Sequence, residues 1–258
     1  MTTKVDVVIL TKNSERWLSE CLESVYENVP VNRLIVVDGH STDKTLEVLG
    51  KFAKAYGNVK IITQNGSRGE ARARGIREVT TEWFVFVDSD VVLCKDWFEK
   101  AKRYAANDVG AVWGVDIPGD MTNKFLVFMF KWMETRVFNI RGGCHDILIR
   151  HDCVKDIKIP SQLHTLEDAY IKDRITAQNY KVVVSHNSWC RHYKTIDSLF
   201  SKESIGPAFL ELNNMKLVRE RLLFAWFFGF GWLLQETGFN GKRNIDMKTQ
   251  QRIPHVKE

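Results

Sequence analysis

Short apolar runs rich in β-branched residues alternate with amphipathic stretches over residues 1–115. The runs at 4–10, 34–37, 59–63 and 83–87 predict strands, and the stretches between them carry apolar residues at helical spacing. This alternation is the pattern of an α/β fold, in which helices cover a parallel sheet. The run at 83–87 is apolar at every position, which predicts a central strand that is buried on both faces.

The rest of the chain departs from this simple alternation. A helix is predicted at about 96–106 and a strand at 109–115, followed by an apolar helical stretch at 124–138. A turn at Gly142 and Gly143 then leads to a short strand at 146–150. A helix that begins near Glu167 and a strand at 181–185 follow. A loop or strand with His186, Trp189 and His192 completes the predicted elements.

Composition limits the partners and the compartment that we expect. The 258 residues suffice for one large α/β domain or two small ones. The net charge of +5 is spread along the chain, so it suits anionic ligands or an acidic membrane surface and does not indicate a nucleic-acid binder. The five cysteines are scattered and form no C-x-x-C pair, which is typical of free thiols in a reducing compartment. Because no signal sequence is recognisable, we expect a cytoplasmic location.

Polar side chains follow each of the first four predicted strands. They are Thr11 to Asn13, Asp38, residues 65–68, and Asp88 to Asp90. In an open parallel sheet the ligand site lies beyond the carboxyl ends of the strands. Two carboxylates at Asp88 and Asp90 repel each other, and a Mg²⁺ or Mn²⁺ ion that bridges a diphosphate would compensate them. A solvated turn in which Asp90 caps a helix is the alternative.

A series of motifs then narrows the interpretation. In chain order they are residues 7–13, 35–45, 68–75 and 86–90, Gly142-Gly143, and Glu167-Asp168. Together they resemble the nucleotide-sugar glycosyltransferases of family 2, over about residues 4–193. The resemblance implies a GT-A fold, a Rossmann-like, mostly parallel sheet flanked by helices. It also implies a nucleotide-diphosphate sugar donor at the first four strand ends.

For the donor, the resemblance implies a pocket with assigned roles. Thr11 and Asn13 would line the base and ribose, and Asp38 would accept a hydrogen bond from the base, since uracil and guanine carry N–H donors. Arg68 would approach the diphosphate or the base, because a guanidinium matches phosphate oxygens. As alternatives, Asp38 would be a turn residue that bonds its own backbone, and Arg68 a surface arginine.

The same resemblance implies a metal site. Asp90 would bind Mn²⁺ or Mg²⁺ directly, and Asp88 would contact the ribose or the metal through water. Several relatives place a histidine on the metal or the diphosphate in the region of His192, for which a packed histidine is the alternative. Arg72 and Arg74 are expected to be surface charges.

Two local features have competing interpretations. Gly142 and Gly143 would let the backbone approach the donor sugar closely, or they form a plain turn. A zinc site built from His186, Cys190 and His192 is disfavoured, because no fourth ligand stands at the spacing of a structural zinc site.

The pair Glu167-Asp168 is the predicted catalytic element. By resemblance, one of the two is the general base that removes the proton from an acceptor hydroxyl in an inverting transfer. Asp168 is the first choice, because the second acid of this pair usually has that role in the family, and Glu167 is the fallback. Two acids that merely favour the positive end of a helix dipole are the structural alternative.

Two apolar, aromatic segments point to lipid. The uncharged run at 222–234 is shorter than the ~20 residues of a membrane-spanning helix, but it contains Trp226 and Trp232 and follows Lys216, Arg219 and Arg221. Aromatic residues beside cations are typical of interfacial segments. The run at 125–130 is a second candidate, and burial in a core is the alternative for each.

These inferences converge on one function. We expect a metal-dependent, inverting glycosyltransferase that moves a hexose from a UDP- or GDP-sugar to a lipid-linked or glycan acceptor at the cytoplasmic face of the membrane. The predicted catalytic domain spans 1–193, with a nucleotide-binding half at 1–115 and an acceptor half at 116–193, and a helical extension follows at 194–258. The alternatives are a sugar nucleotidyltransferase, which would need a Gly-rich loop that residues 10–13 lack, and a non-catalytic nucleotide-sugar-binding protein.

Overall fold

A computed structural model describes residues 4–119, 127–128, 143–161 and 167–193, which all belong to one compact unit, Met1–Lys194. Its strands are β1 (Val5–Thr11), β2 (Val31–Asp38), β3 (Val59–Thr63), β4 (Trp83–Asp88), β5 (Val91–Leu93), β6 (Val109–Pro118), β7 (Asp146–Arg150) and β8 (Lys181–His192). Its helices are α1 (Leu18–Asn28), α2 (Thr45–Tyr56), α3 (Arg68–Glu78), α4 (Trp97–Lys102) and α5 (Glu167–Thr176), with a 3₁₀ turn at His151–Cys153.

The strands form one sheet in the order β3-β2-β1-β4-β7-β6-β8-β5. The first four strands of the chain run parallel, which confirms the predicted parallel arrangement. Strand β7 is antiparallel to both β4 and β6, while β6 and β8 run parallel. All residues from Trp83 to Val87 are buried, and β4 lies between β1 and β7, as expected for a central strand.

Alternation along the strands divides the core into two layers. In β1, Val7 and Ile9 pack with Leu22 of α1, whereas Val8 packs on the other face with Ile76 of α3. Because each fully buried aliphatic side chain contributes ~1.5–3 kcal/mol, the two layers hold the helices against the sheet. Packing on both faces of the sheet thereby fixes the positions of the strand ends.

Several elements extend beyond their predicted limits. Strand β6 continues to Pro118 and β8 to His192, and the short strand β5 was not predicted. Helix α3 begins at Arg68 because Ser67 and Glu70 form a capping box, in which each side chain accepts from the other residue's backbone N–H. These longer strands bring the polar residues of the second half to the edge where β1, β2 and β4 end.

Some predictions fall outside the described residues. They are Gly142, most of the apolar stretch at 124–138, and the extension at 194–258, including the aromatic run at 222–234. Within the apolar stretch, Phe128 is exposed. Among the described helices, none has the length and apolar character that crossing a bilayer requires.

Gly75 provides a stability test of the contact between α3 and the sheet. A Cβ at Gly75 would lie 2.4 Å from Val8 Cγ1, whereas a Cβ at Gly50 of α2 would meet nothing within 4 Å. We expect Gly75→Ala to lower the free energy of unfolding by about 1–3 kcal/mol through overpacking. Gly50→Ala should instead raise it by about 0.5–1 kcal/mol through helix propensity. Urea unfolding of both variants checks this, and equal effects would contradict the close approach of α3.

Candidate active site

The predicted donor residues lie side by side at the carboxyl ends of the parallel strands. Thr11 is in register with Asp38 across β1 and β2, and Leu10 is in register with Asp88 across β1 and β4. Parallel pairing therefore gathers at one edge the polar residues that follow separate apolar runs in the sequence.

Asp38 is fully buried, and its carboxylate has partners within the chain. It accepts from Thr11 Oγ1 at 2.8 Å and from the Oγ and backbone N of Ser41 at 2.6 and 2.9 Å. These bonds hold the turn after β2, as in the alternative that treated Asp38 as a turn residue. These three bonds use most of the roughly four acceptor sites of the carboxylate. A hydrogen bond from a base to Asp38 stays a prediction.

Asn13 is exposed and links the loops that follow β1 and β2. Its backbone is in the left-handed region, with φ of 51°, which asparagine tolerates better than most residues. Its side-chain oxygen accepts from the backbone N–H of Thr42 at 2.8 Å, and its own N–H donates to Ser41 Oγ at 2.9 Å. Two hydrogen bonds therefore connect the loops after β1 and β2 at the edge of the predicted base pocket.

Arg72 is a central residue of the site, and the expectation that it is a surface charge was wrong. Its side chain is 3% exposed and donates from Nη2 to Asp88 Oδ1 at 2.9 Å. Its guanidinium lies 4.8 Å from the centre of the Phe86 ring, and its Nε lies 3.5 Å from Glu167 Oε1. Arg68, one helical turn earlier, places its Nε 3.8 Å from the same oxygen but is half exposed. Arg68 and Arg72 are four residues apart on α3, which follows the polar residues at the end of β3. This spacing was the sequence signal that could have indicated a shared role.

The charge of Arg72 keeps Asp88 ionised. Burial opposes ionisation, but Arg72, followed by His192 and His145, outweighs it and holds the pKa of Asp88 well below its usual value. The pKa of Arg72 is raised in return, against burial, by neighbours that include Asp88 and Glu167. Arg72 and Asp88 therefore form an ion pair at the carboxyl end of the central strand β4.

Asp88, Asp90 and His192 form a possible metal-binding group. Ligand atoms of the three residues lie within 4.8 Å of one another, and all three are partly exposed. Pairing of β5 with β8 places His192 opposite Val91, so that His192 Nε2 lies 3.2 Å from Asp90 Oδ1. Carboxylate oxygens with one imidazole nitrogen suit Mn²⁺ and are compatible with Mg²⁺, so the residues present fit the predicted ion.

Behind His192 lies a chain of polar residues that the sequence analysis missed. His192 Nδ1 is 3.1 Å from Asp116 Oδ2, which is 3.7 Å from His145 Nε2. His145 Nδ1 is 2.7 Å from Asp146 Oδ1, and Trp97 Nε1 donates to Asp146 Oδ2 at 2.9 Å. Asp116 directly follows the apolar run at 109–115, a position equivalent to that of Asp88, so it could have been found from the sequence.

The acids of this chain determine the protonation of its two histidines. Burial disfavours their charged forms, but Asp116 and Asp90 outweigh it and raise the pKa of His192 to about 10. Asp116 and Asp146 likewise raise the pKa of His145 to about 9. These acids therefore favour the protonated form of both imidazoles.

His145, Asp146 and Cys190 form a second group whose possible ligand atoms lie within 4.8 Å of one another. The Asp146 carboxylate is already used by Trp97 and His145. Burial, followed by the charges of Asp146 and Asp116, raises the pKa of the Cys190 thiol. These facts favour a hydrogen-bonded core network. His186 belongs to neither possible metal group of the described residues.

Glu167 and Asp168 open α5, and their side chains differ in environment. Glu167 is buried and faces the two arginines. Asp168 is half-buried, accepts from the backbone N–H of Ala169 at 2.8 Å, and lines a small cavity beside Gly143 and Ile147. The two carboxylates are therefore neighbours in sequence with distinct surroundings.

Gly143 is required by the packing around it. A Cβ at this position would lie 2.5 Å from His145 Nε2, so glycine leaves room for that imidazole. Its predicted contact with a donor sugar stays a prediction.

With this geometry established, comparison with known proteins identifies the family. A family model described as "Glycosyl transferase family 2" matches residues 6–154, more than half of the chain. The chain belongs to glycosyltransferase family 2. Membership favours the glycosyltransferase prediction over the nucleotidyltransferase alternative.

Individual relatives of this family 2 glycosyltransferase agree with that assignment. The poly(ribitol-phosphate) beta-glucosyltransferase of Bacillus spizizenii is 39% identical over 93 residues, which are 34% of this chain and 15% of that protein. The chain thus spans a small part of this curated relative.

Solved structures support the GT-A fold predicted for the glycosyltransferase. The mannosyltransferase PcManGT from Pyrobaculum calidifontis, in complex with GDP-Man and Mn²⁺, has a TM-score of 0.65 at 17% identity, covering 92% of this chain and 75% of that one. TarS 1-349 of S. aureus, in complex with UDP, has a TM-score of 0.57 at 19% identity, covering 96% and 78%. The GT-A prediction is therefore confirmed.

Proposed function

We propose that this protein is a metal-dependent, inverting glycosyltransferase that moves a hexose from a UDP- or GDP-sugar to a hydroxyl of a lipid-linked or glycan acceptor. The observation that carries the proposal is the clustering of Asp88, Asp90 and His192 beside the arginine pair of α3. The structural neighbours bound to GDP-Man with Mn²⁺ and to UDP support it by analogy. We further propose that the acceptor is met at the cytoplasmic face of the membrane.

Each side of the site would serve one part of the donor. Asp88, Asp90 and His192 would hold Mn²⁺ or Mg²⁺, which when bound supplies positive charge against the diphosphate. Arg68 is half exposed and can turn toward phosphate oxygens, and Arg72 keeps Asp88 ionised. Positive charge near the departing nucleoside diphosphate stabilises it as the bond to the anomeric carbon breaks.

The difference between the two acids supports Asp168 as the base. Glu167 is buried, and its carboxylate lies beside the guanidinium groups of Arg68 and Arg72, which suits a role in positioning these arginines. Asp168 is half-buried, and we propose that it takes the proton of the acceptor hydroxyl while the oxygen attacks the anomeric carbon. Glu167 would then orient Arg72 and Arg68.

Calorimetric titration tests the proposal at the level of binding. UDP and GDP are each titrated with and without Mn²⁺, and we expect one nucleotide to bind more tightly when Mn²⁺ is present. Turnover is then measured with UDP- and GDP-hexoses that carry the preferred base. Absence of binding by both nucleotides in Mn²⁺ would overturn the proposal.

The proposed membrane contact has its own test. Trp226 and Phe230 would enter the headgroup layer, while Lys216, Arg219 and Arg221 attract anionic lipids by about 1 kcal/mol each. We expect the protein to sediment with anionic liposomes and the double variant Trp226→Ser/Phe230→Ser to stay in the supernatant with nucleotide binding intact. Leu46→Ser, which changes an exposed leucine of α2, is the control and should sediment normally. If the wild-type protein does not sediment with anionic liposomes, the proposed membrane contact is contradicted.

A further inference from the structure

Strand pairing fixes the backbone of His192, but it does not determine the orientation of the imidazole ring. Its Cα is in register with Val91 of β5 and Pro118 of β6, and its carbonyl accepts from the N–H of Gly119 at 2.7 Å. Rotation about the side-chain bonds could still exchange the two ring nitrogens or turn them away from Asp90. Contacts of the side chain must therefore select the orientation.

Asp116 makes the contact that can select it. Asp116 Oδ2 lies 3.1 Å from His192 Nδ1, while Nε2 lies 3.2 Å from Asp90 Oδ1. A histidine that binds a metal through one nitrogen carries its proton on the other, and an acceptor at that second nitrogen fixes both the tautomer and the ring orientation. A carboxylate at Nδ1 therefore leaves Nε2 to face the metal-binding group.

Contacts with other side chains in turn hold Asp116 in position. His145 Nε2 approaches the same Asp116 oxygen at 3.7 Å, and His145 is held from behind by Asp146. Asp146 is fully buried and is accommodated because β6 has glycine at position 114, where a Cβ would lie 1.9 Å from Asp146 Oδ2. The orientation of His192 thus depends on groups that are anchored in the core.

The two oxygens of the Asp116 carboxylate differ in their contacts. Oδ2 lies beside both imidazoles, whereas Oδ1 is buried and has no hydrogen-bond partner among the residues that the structure describes. A buried polar atom that is left unbonded costs stability. The contacts through which Asp116 can act are therefore those with His192 and His145.

We propose that Asp116 is a positioning residue of the metal site, which orients His192 and fixes its proton on Nδ1 so that Nε2 is presented beside Asp90. His145 supports Asp116 in this arrangement. The inference rests on the proposed function, because it requires that Asp88, Asp90 and His192 bind a divalent ion.

Mn²⁺ affinity is the measurement that tests the assignment. Free Mn²⁺ is followed by electron paramagnetic resonance while it is titrated into the full chain, with UDP or GDP present according to which one binds. We expect Asp116→Ala to weaken Mn²⁺ binding about 10- to 100-fold, the usual range for residues that orient metal ligands, and Asp116→Asn to weaken it less because the amide oxygen still accepts. Asp108→Asn makes the same change just before β6, in an exposed pair with Lys181, and should bind Mn²⁺ as the wild type does.

A double-mutant cycle with His192→Ala separates positioning from structural damage. If Asp116 acts through His192, Asp116→Ala costs no further Mn²⁺ affinity in the His192→Ala background. The assignment would be overturned if Asp116→Ala lowered Mn²⁺ affinity as much in the His192→Ala background as in the wild type. It would also be overturned if Asp116→Ala alone bound Mn²⁺ with wild-type affinity. Where Asp116→Ala fails to fold, the nearly isosteric Asp116→Asn is used in the same cycle.

The outcomes also distinguish this assignment from the proposed function. If Asp90→Asn weakens Mn²⁺ binding while the Asp116 variants do not, metal dependence stands and the role of Asp116 fails. If the wild-type protein does not bind Mn²⁺ under any of these conditions, both fail.

Discussion

Replacing Asp168 by asparagine should lower turnover about 100-fold or more while leaving the affinity for the Mn²⁺-nucleotide complex unchanged. The amide retains the shape of the side chain but cannot take a proton, and loss of a general base typically costs 10²–10⁴ in rate. Steady-state kinetics with the preferred donor, together with calorimetry of the nucleotide, would separate the effect on kcat from that on binding.

Two companion variants sharpen this result. Asp173→Asn makes the same change on the exposed side of α5 and should retain wild-type turnover. Glu167→Gln should weaken donor binding, because it removes the charged partner that would orient Arg72 and Arg68. If Glu167→Gln abolishes turnover with donor affinity intact and Asp168→Asn does not, the roles of the two acids are reversed. If both variants retain turnover, the acceptor group is already ionised, as a phosphate is, and needs no base.

Replacing Asp90 by asparagine should remove most of the gain in nucleotide affinity that Mn²⁺ provides. We expect a loss of roughly 10- to 100-fold in Mn²⁺, which corresponds to the ~1.5–3 kcal/mol of an interaction with a charged group. Affinity without metal should barely change, because Asp90 would reach the nucleotide only through the ion. Calorimetry with and without Mn²⁺ measures both quantities.

Asp96→Asn is a suitable control for this variant. Asp96 is exposed, lies six residues further along the chain, and has a left-handed backbone that asparagine also tolerates. It should bind the nucleotide as the wild type does in both conditions. Equal losses for Asp90→Asn with and without Mn²⁺ would mean that Asp90 supports the loop and does not hold a metal.

The predictable half of the fold is the parallel half. Parallel strands of one sheet end at the same edge whatever their order, so the apolar runs and the polar residues after them suffice to locate Thr11, Asp38 and Asp88 at one edge. The helix predicted near Glu167 is present over Glu167–Thr176, and residues 162–166 lie outside the described part of the chain. A pair of acids near a helix start is a local signal.

The remaining part of the site depends on pairings that a local pattern does not contain. His192 reaches Asp90 because β8 continues through 186–192, which the sequence left open as a loop or a strand, and pairs with β5, about 100 residues earlier. His145 and Asp116 meet through the register of β6, β7 and β8. Arg72 was missed for another reason: an arginine on a polar helix is usually exposed, and its burial follows from the ion pair with Asp88, which only the tertiary structure reveals.

The placement of β8 between β6 and β5 has a consequence for how the protein acquires activity. The match to the family model ends at residue 154, yet Glu167, Asp168 and His192 all come later in the chain. A nascent chain that has emerged only to that point would contain β1 to β7 but would lack β8, and pairings between residues far apart in the chain are slow to form. Divalent-ion binding would therefore report completion of the sheet, and refolding followed by Mn²⁺ uptake should lag behind refolding followed by burial of Trp83 on β4.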